Sequence, residues 1–152
     1  MLDRLQVLVI ENDDRTADLI FEGLATAFAP CVLEFTAALS IALHRLANIR
    51  FGVIFLDPLV ANHGTASAIA AIRSVAPETP ILLLLDRHHG LQDAETYDFR
   101  PSGCIYKDEL KQRIWIERHI EQHICSKASS RSGQPVSSGR PKEIQFSIKT
   151  ER

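Results

Sequence analysis

Three apolar runs in this chain end on residues able to do ionic chemistry. Leu5 to Ile10 runs into Glu11-Asn12-Asp13-Asp14, Val53 to Leu56 ends on Asp57, and Cys104 to Tyr106 ends on Lys107. A fourth run, Ile81 to Leu85, is followed by Asp86. Brought together, these carboxylates supply oxygen ligands for a hard divalent cation, and one of them can act as a nucleophile toward phosphorus. The cation would offset repulsion between that nucleophile and an incoming phosphoryl group, and the lysine would pair with the resulting acyl phosphate. Taken singly, an Asp or a Lys at a strand end reads as a turn or capping residue. The ordered set is what points to chemistry.

The elements that must position these residues follow from two alternating patterns. The continuous apolar runs suit strands buried on both faces of a parallel sheet, and Cys31 to Phe35 and Cys104 to Tyr106 supply shorter second and fifth strands. Helical spacing separates them. Ala17, Ile20, Phe21, Leu24 and Phe28 share one face after Asn12-Asp13-Asp14, and Leu39, Leu43 and Leu46 mark a second helix. A third has Thr65 as N-cap, Ile69, Ile72 and Val75 as its face, and Pro77 to end it. His88 to Phe99 is the weakest helical pattern. The last helix is predicted from Asp108 to about Cys125, with Leu110, Ile114, Ile116, Ile120 and Ile124 apolar and Trp115 turned to the opposite side. Such alternation predicts an α/β fold, a doubly wound five-stranded parallel sheet with flanking helices. Its ligand site belongs at the C-terminal ends of the strands.

At 152 residues, 45% hydrophobic and 24% charged, the chain has the size and composition of one soluble domain. Residues 1–125 are expected to form it. Residues 126–152, rich in Ser, Gly, Pro and Arg, read as a flexible linker or tail, with Ile144, Phe146 and Ile148 as a short strand-like segment. That tail carries six Lys or Arg against two Glu, so the body is more acidic than the net charge of −2 suggests. An acidic body argues against a nucleic-acid platform. Cys31, Cys104 and Cys125 share no CxxC spacing and read as inert thiols. No apolar run is long enough to span a membrane, and the first residues lead straight into a strand, so a cytoplasmic protein is expected. His119 and His123 stand four apart without a third ligand, so a solvated helix face is the plainer reading.

VLVIENDD, VIFLDP and CIYKDEL together resemble the first, third and fifth strands of response-regulator receiver domains, with the spacing from Asp57 through Pro80 to Lys107 also agreeing. The resemblance covers about residues 4–125. It implies the flavodoxin-like strand order 2-1-3-4-5 and two-component signalling. Asp57 would be the phosphoacceptor, supplied by a histidine kinase or phosphotransfer protein, and Lys107 the phosphate-sensing lysine. Mg2+ would be held by Glu11, Asn12, Asp57 and the backbone carbonyl of Leu59. Leu85 and Cys104 would occupy the switch positions.

Departures from the family pattern fall within that set. Asn12 stands where a second acid is expected, and a neutral amide is a weaker ligand for Mg2+. Leu85 takes the place of a Thr or Ser hydroxyl that bonds the phosphoryl group, which leucine cannot do. Cys104 replaces a common aromatic, Asp86 adds a negative charge at the rim, and the loop after Asp57 is one residue shorter.

The first expectation is therefore a phosphorylation-dependent switch, not an enzyme acting on a separate substrate. A downstream effector or a further C-terminal output domain would read it, and a homodimer through the last helix is expected. The alternative is a pseudo-receiver that binds or dimerises without phosphorylation. A flavodoxin-like cofactor enzyme is a third reading, and the acidic Glu11-Asn12-Asp13-Asp14 turn would repel its phosphate. Neither a Walker A nor a GxGxxG motif is present.

Overall fold

The computed structural model describes residues 4–28, 30–60, 64–87 and 102–121. Its strands are β1 (Leu5–Ile10), β2 (Cys31–Thr36), β3 (Val53–Leu56), β4 (Ile81–Leu85) and β5 (Gly103–Tyr106). They form one sheet in the order β2-β1-β3-β4-β5, with every pairing parallel. This is the doubly wound arrangement expected from the sequence. The helices α1 (Asp14–Ala27), α2 (Leu39–Asn48) and α3 (Thr65–Val75) connect the first four strands.

Successive strand side chains point to opposite faces of a sheet, which is why continuous apolar runs are needed here. Val7, Val9, Val53, Phe55, Leu82 and Leu84 face α1 and the closing helical segment, packing on Ile20, Leu24 and Ile116. Leu8, Ile10, Ile54, Leu56, Leu83 and Leu85 face α2 and α3, packing on Ala42, Leu46, Ile69 and Ile72. Two cores thus clamp the sheet. Among the described residues, no helix is long and apolar enough to cross a membrane.

Helix starts follow local chemistry. Asp13 caps α1, its Oδ1 accepting the Arg15 N–H at 3.0 Å and its Oδ2 accepting the Thr16 hydroxyl at 3.2 Å. At α3 the expected Thr65 cap is corrected. Gly64 holds the cap position with φ +97°, a conformation glycine adopts without Cβ strain, and Thr65 is the first helical residue and buried. Val75, assigned to the apolar face of α3, is 39% exposed instead.

The predicted single last helix is also corrected. Lys107–Lys111 forms a 3-10 turn, Gln112 is extended (φ −107°, ψ 139°), and helical structure resumes at Ile114, with Ile116–Ile120 wound as a π-helix. The break resets the phase of the segment. Trp115 is consequently fully buried rather than turned away, and Ile114 is 47% exposed. The indole N–H donates to the Leu110 carbonyl at 3.3 Å, and the ring meets Phe55 edge-on at 6.0 Å. Gly23 of α1 makes room for it: a Cβ there would lie 2.7 Å from Trp115 Cζ2. His119 is half-buried rather than solvated, with its Nδ1 near the Gly103 backbone of β5. The His88 to Phe99 helix, Cys125, His123, Ile124 and the 126–152 tail lie outside the described residues.

Candidate functional site

Sheet register brings the ionic residues together. Ile10 pairs with Thr36 and with Leu56, and Leu85 pairs with Tyr106, so Glu11, Asp57 and Lys107 are each the first residue beyond a strand at the same sheet end. Backbone bonds carry the register past the strands: Glu11 N–H donates to Thr36 O at 3.0 Å and Asp57 N–H to Ile10 O at 2.9 Å. Glu11 and Asp57 follow the adjacent strands β1 and β3, at the point where strand order reverses, the place a doubly wound sheet binds ligands.

Lys107 Nζ joins the two acids. It donates to Asp57 Oδ2 at 2.9 Å and lies 2.9 Å from Glu11 Oε2. Asp57 is further oriented by the Leu59 N–H, which donates to Oδ1 at 2.9 Å from the short 3-10 turn Pro58–Val60. Glu11 Oε1 accepts the Asn12 backbone N–H at 2.9 Å. Glu11 Oε2 is buried and, beyond its ion pair with Lys107, takes no aligned hydrogen bond.

Both acids are almost wholly buried, Glu11 at 1% and Asp57 at 4% exposure. Burial, and then the Asp57 carboxylate beside it, push the Glu11 carboxyl up to about 7, against the pull of Lys107 and the Asn12 N–H. Burial works against the Lys107 charge, yet Asp57 and Glu11 outweigh it and hold the ammonium above the ordinary lysine value. The cluster is therefore two carboxyls facing one firmly charged lysine.

The other expected positions are spread around this cluster. Asn12 is exposed beside Glu11, and Leu59 presents an exposed side chain at the rim, 63% accessible, while its N–H holds Asp57. Leu85, 6% exposed, packs into the α2/α3 core, with half-buried Cys104 and Tyr106 against the same core. Asp86 is half-buried. Burial pushes the Cys31 thiol up to about 12 and raises Cys104, so neither is a poised nucleophile.

The sequence reading missed Arg87. It follows β4 by two residues, and its Nε donates to Asp108 Oδ2 at 2.6 Å while Nη2 reaches Glu109 Oε1 at 3.3 Å. Its guanidinium stacks over the Tyr106 ring at 4.1 Å. The available signal was charge order, a lone Arg next to Asp86 at the end of a strand.

Magnesium binds through oxygen and commonly uses only one or two carboxylates, with water and phosphate completing its shell. Two converging buried carboxylates, one with an oxygen not engaged in an aligned hydrogen bond, fit that donor set. Among the described residues no group of three His, Cys, Asp or Glu side chains is placed to hold a metal, so protein carboxylates alone do not complete a shell.

No protein-family model and no curated protein matches the chain. Solved structures do. The receiver domain of a sensor histidine kinase from Pseudomonas aeruginosa PAO1, with magnesium coordinated in its active-site cleft, superposes with a TM-score of 0.65 at 17% identity, covering 81% of this chain and 99% of that one. A CheY-like response-regulator receiver domain protein from Methanospirillum hungatei JF-1 gives a TM-score of 0.69 at 12% identity, covering 84% and 99%. The N-terminal domain of a response regulator/sensory box/GGDEF three-domain protein from Carboxydothermus hydrogenoformans gives 0.67 at 13%, covering 82% and 98%. The chain has the fold of response-regulator receiver domains, carried at low sequence identity.

Proposed function

We propose that this chain is a two-component receiver that accepts a phosphoryl group on Asp57 from a histidine kinase or phosphotransfer protein and switches a protein-interaction surface in response. The observation that carries this reading is the Lys107 ammonium on Asp57 Oδ2 at 2.9 Å, at the sheet end where strand order reverses. An Asp57 oxygen attacks phosphorus, the P–N bond of the donor phosphohistidine breaks, and the imidazole nitrogen keeps the electron pair and takes a proton. The Leu59 N–H and Lys107 orient the attacking carboxylate, and Lys107 then pairs with the new phosphoryl oxygens.

Glu11 and Asp57, with Asn12 and the Leu59 carbonyl, are the residues that would hold Mg2+. When bound, that ion supplies positive charge against the repulsion between Asp57 and the incoming phosphoryl group. Glu11, whose carboxyl burial pushes up to about 7, is about half protonated at neutral pH and would give up that proton if it took part in holding the cation. The setting is cytoplasmic, and output passes to an effector or a further C-terminal domain, as the three-domain neighbour suggests. Homodimerisation through the closing helical segment is part of the proposal; sedimentation showing only monomer across concentrations would remove it.

The second reading, a module that binds partners without phosphorylation, starts from Leu85, which offers no hydroxyl to a phosphoryl group from its buried position. Titration with Mg2+ and beryllofluoride, an acyl-phosphate mimic, separates the two. The phosphorylation reading expects shifts of the Asp57, Leu85 and Lys107 amides. No response at millimolar Mg2+ leaves the binding module.

A further inference from the structure

We propose that Arg87 is a phosphoryl ligand of this site, held in reserve on Asp108 and Glu109 and supplying from the end of β4 the hydrogen bonds that Leu85 cannot. The inference rests on the phosphoacceptor reading of Asp57. Leu85 closes β4 in register with Tyr106, and both pack on the same face of the sheet. Two residues further on, Arg87 lies over the Tyr106 ring at 4.1 Å and bonds Asp108 at 2.6 Å. Tyr106 and Asp108 are the residues on either side of Lys107, whose Nζ is 2.9 Å from Asp57. The guanidinium is thereby moored to the segment that carries the phosphate-sensing lysine.

Its present pairing is weak enough to exchange. Arg87 and Asp108 are 52% and 59% exposed, so water screens the pair, and the Glu109 contact is longer at 3.3 Å. A phosphoryl group on Asp57 would offer more charge than a carboxylate and three acceptor oxygens, a better match for the planar guanidinium fork. Transfer of Arg87 from Asp108 to the phosphoryl group would free the turn at Lys107–Lys111. A modification at Asp57 would thus reach the surface beyond β5 without a hydroxyl at Leu85.

The test compares wild type, Arg87→Ala, Arg87→Lys and Asp108→Asn by amide and arginine side-chain resonances, titrated first with Mg2+ and then with beryllofluoride. In wild type the Arg87 Nε–H signal shifts on beryllofluoride addition and not on Mg2+ alone. Arg87→Ala weakens beryllofluoride binding by about tenfold while Mg2+ binding changes little, and Arg87→Lys recovers only part of the loss. Asp108→Asn, which loosens the reserve pairing, tightens binding by roughly threefold. A wild type that responds while Arg87→Ala binds the mimic equally well overturns the Arg87 assignment and leaves the phosphoacceptor reading intact. A wild type silent to beryllofluoride overturns both.

Discussion

Asp57 is a buried carboxyl beside a second one, and Lys107 forms an ion pair with both. That arrangement favours a site that welcomes a cation over a site that maximises stability. Replacing Asp57 with Asn leaves one carboxylate facing one ammonium, so the variant is expected to gain about 1 kcal/mol at alkaline pH, measured by urea unfolding with chelator present. Glu11 gives the cluster a pH dependence of known sign. Its folded value of about 7 lies above the ordinary 4.5, so the folded chain holds the proton more tightly. Its contribution to stability is complete below about pH 4.5 and is lost as pH rises to about 7, a change of roughly 3 kcal/mol at most. Glu11→Gln should flatten that slope in urea midpoints taken without metal. An unchanged slope would place the titration elsewhere. Glu11, Asp57 and Lys107 were all legible as strand-end residues, because register alone brings such positions together. Arg87 was not, since its meaning lies in the partners it meets 21 and 22 residues later, Asp108 and Glu109.

Elements were legible where one periodicity ran unbroken. The faces of α1 and the strand runs satisfy a single rule from end to end. The segment after β5 does not. Counting α-helical steps from Leu110 turns Trp115 away from the apolar face, but a 3-10 turn and extended Gln112 intervene and bring the indole onto Phe55 and Gly23. A local break in hydrogen bonding therefore decided what hydrophobicity could not. This packing gives a sharp test. A methyl group on Gly23 would meet Trp115 Cζ2 at 2.7 Å and Ile116 Cδ1 at 3.0 Å, both inside van der Waals contact. Gly23→Ala is expected to cost about 1 to 3 kcal/mol despite its higher helix propensity, with altered Trp115 fluorescence. A stabilised variant with unchanged emission would refute the packing described. Gly64 at the start of α3 carries the same lesson, since Thr65 looked the better cap but only the backbone shows the positive φ.

At the scale of the whole molecule, sheet order converts separate sequence positions into one site. With β1 and β3 adjacent at the centre and β5 at the edge beyond β4, Glu11 and Asp57 are neighbours, and Lys107 must reach back across β4 to Asp57. The two-faced core accounts for the strand sequences, because strands clad by helices on both sides must read as continuous apolar runs. Fold was therefore readable from patterning together with spacing, while the extent of the chemistry was not, because the residue at a single position such as Asn12 or Leu85 can bear on a site without altering the fold that carries it. The most direct measurement is intact mass after incubation with Mg2+ and a small-molecule phosphoryl donor such as phosphoramidate. The account predicts the gain of one HPO3 that hydroxylamine removes, present in wild type and absent in Asp57→Asn. No gain in wild type, or a gain that persists in Asp57→Asn, would contradict it.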